Sequence, residues 1–132
     1  MREILFRGKR TDNGTWAYGS LFCIWERTYL CWGTTNDVPN MKEVIPETIG
    51  QFTGLVDKNG VRIFEGDICR FKRFNDIHVG EIVFNVTTAS FVMRYQSIVG
   101  AYGEKATQKM LLSVCDDIEV IGNIHDNPEL ME

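Results

Sequence analysis

Two Asn-Gly pairs constrain the fold of this chain more than any other feature. Asn13 and Gly14 separate two extended runs near the beginning of the sequence, and Asn59 and Gly60 stand between apolar positions on either side. An Asn-Gly pair between extended runs supplies the positive φ angles that a tight hairpin turn requires. The sequence therefore predicts a β-hairpin at each of the two places.

A sharp corner is predicted at Gly66. The segment Glu65-Gly66-Asp67 interrupts the alternation of polar and apolar residues before the chain enters another extended run. A β-carbon at Gly66 would oppose the backbone angle that such a corner requires. Asp67 can accept hydrogen bonds from nearby backbone amides, which is a structural role and not a catalytic one.

The composition favours strands over helices. The 132 residues include 12 Ile and 11 Val against 4 Ala and 7 Leu, and β-branched side chains suit the pleated sheet. We therefore expect a mainly β fold, a small roll or barrel built from hairpins, with a short C-terminal helical turn that begins near Pro128. The length fits one domain over residues 1–132.

Some parts of the chain lack a strand pattern. Residues 33–46 and 96–105 are rich in turn-forming residues, so we expect loops there. Residues 107–114 fit a strand or a short helix, and the pattern does not decide between the two.

The chain has the features of a cytoplasmic protein without a membrane segment. Charges interrupt residues 1–10, where a secretory signal would need an apolar run, and no apolar run approaches the roughly 18 residues that suggest a spanning helix. The wide spacing of the four cysteines favours reduced, buried side chains over zinc ligands or a disulfide framework. We expect neither a cofactor nor a metal, and the acidic residues Asp116, Asp117 and Glu119 fit a solvated edge.

Several short blocks, in order along nearly the whole chain, are similar to one protein family. They are Phe6-Arg7-Gly8, Asn13-Gly14-Thr15-Trp16, Tyr18-Gly19, Gln51-Phe52-Thr53-Gly54-Leu55, Asp57-Lys58-Asn59-Gly60, Phe64-Glu65-Gly66-Asp67-Ile68, Glu119-Val120-Ile121-Gly122-Asn123-Ile124 and Asn127-Pro128-Glu129-Leu130. With these blocks the chain resembles the YopX family of phage and prophage proteins. The resemblance implies a mainly β protein with an SH3-like roll or barrel, self-associating, and encoded by a phage or by a prophage of a bacterial host. It brings no set of catalytic residues.

Catalysis has little support in the sequence. His78 and His125 are the only histidines, and neither stands near an obvious nucleophile. We therefore expect no enzyme, and a small hydrolase or nuclease that depends on His78 or on a metal ranks last.

Single-stranded nucleic acid is the second candidate ligand. Small β-barrels bind single strands through aromatic side chains beside basic ones, and the segment from residue 58 to 74 contains Lys58, Arg62, Phe64, Arg70, Phe71, Lys72, Arg73 and Phe74. Against this interpretation stand a pI near 5.2 and the neighbouring acids Glu65, Asp67 and Asp76. Alternation also divides the set, because Arg70 and Lys72 point to one face of a strand and Phe71 and Arg73 to the other.

A non-enzymatic interaction or assembly module is the favoured function. The chain has 3 Trp, 4 Tyr and 8 Phe, which is more aromatic surface than a small barrel needs for its core, and interfaces use exposed aromatic residues. Trp25, Tyr29 and Trp32 are the candidates for such a surface. The expected partner is another copy of the chain, or a phage or host protein, and a symmetric oligomer would also cover exposed edge strands.

Overall fold

The alternating segments form eleven β-strands in the part of the chain that the computed structural model describes, residues 2–99 and 101–131. The chain divides into two units at residue 54, and each unit is described by itself. The single domain over residues 1–132 stays a prediction.

The N-terminal unit is an antiparallel sheet. Its strands are β1 Phe6–Lys9, β2 Trp16–Ile24, β3 Arg27–Thr35, β4 Val38–Glu43 and β5 Gly50–Val56, the last of which extends past residue 54. They occur in the order β4-β3-β2-β1-β5. A 3-10 turn at Pro46–Thr48 leads into β5.

One face of the N-terminal sheet is buried. Leu30 and Val44 are fully buried with Ala17, and Phe6, Leu21 and Ile49 pack against them. Leu21 lies directly opposite Leu30 in the β2–β3 register, so these side chains point to the same face. Their neighbours Phe22 and Tyr29, which are also paired, point to the opposite face.

The C-terminal unit contains a five-stranded antiparallel sheet in the order β10-β9-β8-β7-β11. Its core includes Phe71, Ile82 and Met93, and the ring of Tyr95 meets Phe71 edge-on at 5.1 Å. Short 3-10 turns occur at Leu112–Val114 and Pro128–Met131. A short strand, β6 Arg62–Phe64, precedes these five strands, whose bounds are β7 Asp67–Arg73, β8 Asp76–Asn85, β9 Ser90–Val99, β10 Glu104–Leu111 and β11 Asp116–Asn123.

The corner at Gly66 has the geometry that only glycine adopts without strain. Its φ is +91°. The Gly66 N–H donates to the Ile82 carbonyl at 2.8 Å, and its carbonyl accepts from the Ile124 N–H at 2.9 Å. Asp67, only 1 % exposed, accepts from the Phe64 N–H at 2.7 Å. The corner is therefore fixed by hydrogen bonds on both sides.

Glycine alone takes the left-handed conformation in the two Asn-Gly turns. Gly14 and Gly60 have φ of 70° and 82°, whereas the preceding asparagines do not have positive φ. Two consecutive positive φ values occur instead at the two-residue hairpin turns Trp25-Glu26, Asn36-Asp37 and Phe74-Asn75. Such turns match the twist of the strands that they join.

The prediction of loops at residues 33–46 and 96–105 is wrong. β3 continues to Thr35 and β4 fills residues 38–43, while β9 continues to residue 99 and β10 begins at Glu104. The ends of β3 and β9 are largely exposed on both faces, so no alternation marks them in the sequence. Gly100 lies outside the described residues. For residues 107–114 both alternatives occur, since β10 passes into a 3-10 turn.

The mainly β class is confirmed, but the described strands do not close into a barrel. They form two open antiparallel sheets. In the C-terminal sheet β10 and β11 occupy opposite edges, because β11 pairs with β7. The SH3-like roll stays a prediction.

Candidate interaction surface

One face of the β2–β3 and β3–β4 hairpins carries a row of apolar side chains that are half-buried, apart from the exposed Ile24. Phe22 lies opposite Tyr29, and Cys31 lies opposite Met41, so these four side chains share the face that Leu21 and Leu30 do not occupy. Ile24 joins them by alternation along β2 and is 46 % exposed. We call Phe22, Ile24, Tyr29, Cys31 and Met41 the aromatic face.

Two rings organise the aromatic face. Phe22 and Tyr29 are stacked, with centroids 5.4 Å apart and an angle of 17° between the ring planes. Arg27 and Glu43 border the rings and form an ion pair at 3.7 Å. The face is therefore preformed and has charges of both signs at its margin.

Trp25 stands at the tip of the β2–β3 hairpin. Its side chain is 94 % exposed, and its φ is +48°, followed by +67° at Glu26. Bulky side chains are disfavoured in this region, and nearly complete exposure leaves little packing to offset the strain. Strain of this kind clusters at binding surfaces, so Trp25 is a stronger candidate than its exposure alone would make it.

The three aromatic residues predicted for an interface do not form one cluster. Tyr29 lies on the aromatic face, and Trp25 caps the same hairpin. Trp32, 46 % exposed, lies where the β3–β4 register shifts between Cys31 and Thr34. Phe22 is not among the residues predicted for an interface, although the alternation of β2 places it on one face with Ile24.

The basic segment from residue 58 to 74 does not form one surface. Arg70 is bonded to Glu119 at 2.9 Å, and Lys72 pairs with Asp117 at 3.4 Å. These two cations are thus neutralised by carboxylates of β11, the strand beside them.

The aromatic members of that segment are mostly core residues. Phe71 is 1 % exposed and Phe64 is 3 % exposed. The prediction that Phe71 contributes to a nucleic-acid-binding surface is therefore wrong, because its ring is buried in the core. Phe74 is 77 % exposed and lies under the Arg73 guanidinium at 4.0 Å. Lys58 and Arg62 are exposed, toward the beginning of the segment.

The two histidines lie in different settings. The His78 ring packs against the rings of Phe71 and Tyr95, with centroid distances of 5.5 and 4.9 Å. The backbone N–H of His125 donates to the Asn123 Oδ1. Among residues 2–99 and 101–131 no three His, Cys, Asp or Glu side chains form a group that could hold a metal ion. Of the acidic residues near β11, Asp117 and Glu119 are in the ion pairs described above.

All four cysteines are free thiols. Cys69 and Cys115 are buried, and Cys31 and Cys23 are progressively more exposed. Burial raises the pKa of the Cys115 thiol to about 11. The prediction of buried cysteines is therefore correct for Cys69 and Cys115, which are core residues, and wrong for Cys23, which is exposed.

A buried carboxylate in the second Asn-Gly turn escaped sequence reasoning. Asp57 is 6 % exposed, and its Oδ1 accepts from the Asn59 and Val61 N–H groups at 2.8 and 2.9 Å. Burial acts to raise the pKa of this carboxyl, but the three backbone N–H groups bonded to it, those of Val120, Val61 and Asn59, hold the pKa below its ordinary value. Asp57 therefore fixes the turn as a charged group.

The YopX family model, described as "YopX protein", matches residues 5–132. The chain belongs to the YopX family. The resemblance seen in the short sequence blocks is thereby confirmed for this YopX-family chain.

Other comparisons give this YopX-family chain no activity. No curated protein matches it. A solved structure similar to it is the crystal structure of protein EF1440 from Enterococcus faecalis, 24 % identical, covering 100 % of both chains with a TM-score of 0.47. In the described part of the YopX-family chain, no helix has the length and apolar character needed to cross a membrane.

Proposed function

We propose that this YopX-family protein is a non-enzymatic assembly module that binds a second copy of itself through the aromatic face and Trp25. The observation that carries the proposal is Trp25, 94 % exposed at a φ of +48° at the tip of the hairpin that carries the stacked Phe22 and Tyr29. Exposed aromatic side chains contribute much of the binding energy of protein interfaces.

Charge supports a second copy as the occupant. The N-terminal unit, residues 1–54, has six basic and six acidic side chains, so its net charge does not oppose the approach of two copies. Arg27 and Glu43 border the aromatic face with opposite signs. A two-fold axis that passes between these two residues would bring each of them toward the opposite sign on the partner, which is the complementarity that a symmetric interface needs.

The sheet edge is a weaker candidate than the face. β4 forms one edge of the N-terminal sheet, but it contains Pro39 and Lys42. Proline has no N–H to donate, and lysine on an edge strand discourages pairing with another strand. The contact is therefore assigned to side chains and not to continuation of the sheet.

Sedimentation equilibrium of the full chain over a range of concentrations tests this proposal. We expect a dimer that weakens by about tenfold or more in Ile24→Lys, because the interface would bury an unpaired charge. Val86→Lys is the matched control, since Val86 is 82 % exposed but lies in the C-terminal unit. A wild-type chain that stays monomeric overturns the proposal, and so does a dimer that only the Val86 variant weakens.

A further inference from the structure

A cleft of about 650 Å³ lies in the C-terminal unit, at the end of the β7–β8 hairpin. Its wall combines a cation, an aromatic ring and polar groups: Arg73, Phe74, Asp76, His78, Gln96 and Ser97. Its size falls in the range of small-molecule sites, which are mainly apolar with a few oriented polar groups. Its lining residues belong to the C-terminal unit, whereas the aromatic face belongs to the N-terminal unit.

Among the described residues Arg73 differs from the other cations of β7 and β9, which are paired with carboxylates. Arg70, Lys72 and Arg94 each have a carboxylate partner. Among the described residues Arg73 has none, and its buried Nε has no hydrogen-bond partner. Asp76 stands opposite Arg73 in the register of the hairpin, but no ion pair joins the two in residues 2–99 and 101–131.

The aromatic ring of the cleft, that of Phe74, is largely exposed. Phe74 is 77 % exposed at a φ of +56°, the first of two positive values in the turn, and the Arg73 guanidinium lies 4.0 Å above its ring. Ile77 and Ile98 nearby are 63 % and 73 % exposed. Cation and ring are thus held together, and the outer face of the ring stays open to a planar group.

We propose that this cleft binds a nucleotide, with the phosphate at Arg73 and the base stacked at Phe74. An arginine without a carboxylate partner is the residue suited to a phosphate, and a base stacks on an exposed aromatic ring. The side chains of Asp76, Gln96 and Ser97 supply acceptors and donors for the polar edge of a base or for a sugar hydroxyl. The same chemistry is offered by a free mononucleotide and by one nucleotide of a single strand.

Calorimetric titration of the full chain at low ionic strength tests the assignment. The probes are adenosine 5′-monophosphate, thymidine 5′-monophosphate, adenosine, inorganic phosphate and a short oligothymidylate. We expect the monophosphates to bind at least about tenfold more tightly than adenosine or phosphate alone, because a monophosphate offers both a phosphate for Arg73 and a base for Phe74. Tighter binding of the oligonucleotide that still requires Arg73 would identify a single strand as the source of the ligand.

Variants distinguish binding in the cleft from nonspecific attraction to positive charge. Arg73→Gln and Phe74→Asn are each expected to weaken binding by about tenfold or more, and asparagine suits the positive φ of the turn. Arg70→Gln is the matched control because Glu119 already engages Arg70, and it should bind as the wild type does. Equal losses in Arg70→Gln and Arg73→Gln, phosphate alone binding as tightly as the monophosphates, or no binding of any probe would each overturn the proposal.

Discussion

The Asp57 Oδ2 accepts a hydrogen bond from the Val120 N–H at 2.9 Å, across 63 positions of the sequence. Together with the two bonds to its own turn, it gives the Asp57 carboxylate three backbone donors. This one side chain therefore connects the turn between β5 and β6 to β11. Its charge state should control the stability of that connection.

Acid should release this connection. The pKa of Asp57 is lowered in the folded chain, so its contribution to stability is complete above the unfolded value of about 3.9 and is lost as the pH falls through the lower folded value. Asp57→Asn should lose about 1.5–3 kcal/mol at neutral pH, because an amide offers only one acceptor oxygen. It should also show a flatter decline in unfolding free energy between about pH 5 and pH 2.

Denaturant unfolding at a series of pH values measures both effects. Asp116→Asn is the control, since Asp116 is an exposed carboxylate. If Asp57→Asn and wild type decline in parallel with acid, Asp57 does not act as a charged connection.

Gly66 should not tolerate a branched side chain. Gly66→Val forces a β-branched residue to a φ near +91°, where such residues are outliers, while both backbone groups are held by Ile82 and Ile124. We expect a loss of more than about 1 kcal/mol in unfolding free energy. Thr107→Val, an exposed position in β10, should change stability much less. A melting midpoint unchanged in Gly66→Val would contradict the corner geometry.

The thiols should differ sharply in reactivity. At about pH 8 a thiol with a pKa of about 11 is a thiolate in only about one molecule in a thousand, and Cys115 is buried as well. Iodoacetamide followed by mass spectrometry should therefore modify Cys23 first and leave Cys69 and Cys115 unmodified in the folded chain. All four should react in denaturant. Modification of Cys115 as fast as Cys23 would show that the core opens readily.

Local chemistry explains why the turns could be predicted from sequence. Gly14, Gly60 and Gly66 adopt positive φ. The turns at these glycines were predictable because they depend on residue type and on the pattern of the immediate neighbours. The ends of β3 and β9, by contrast, carry no alternation because both of their faces are exposed. A strand without a buried face is formed by its pairing partners, which a local pattern does not show.

Long-range register explains what the sequence did not reveal about sites. The bond from Val120 to Asp57 and the cleft at Arg73 both join segments that are distant in sequence. One wall of the cleft, at residues 96–98, lies in a segment that looked like a loop. Only the register of β8 with β9 brings that wall to Arg73 and Phe74.

Trp25 provides the clearest separation of stability from binding. Trp25→Asn replaces a bulky residue at positive φ by one that adopts this conformation readily, so we expect the variant to be more stable by about 1 kcal/mol. Its dimer should nevertheless dissociate more easily than the wild-type dimer, because the variant loses the exposed indole. Trp32→Asn is the control, since Trp32 is also exposed but has no positive φ, and it should gain no stability. Thermal unfolding and sedimentation on the same samples measure the two properties. A Trp25 variant that is less stable than wild type would show that the indole packs on the folded monomer, and Trp25 would then be a structural residue of the hairpin instead of a contact kept for the partner.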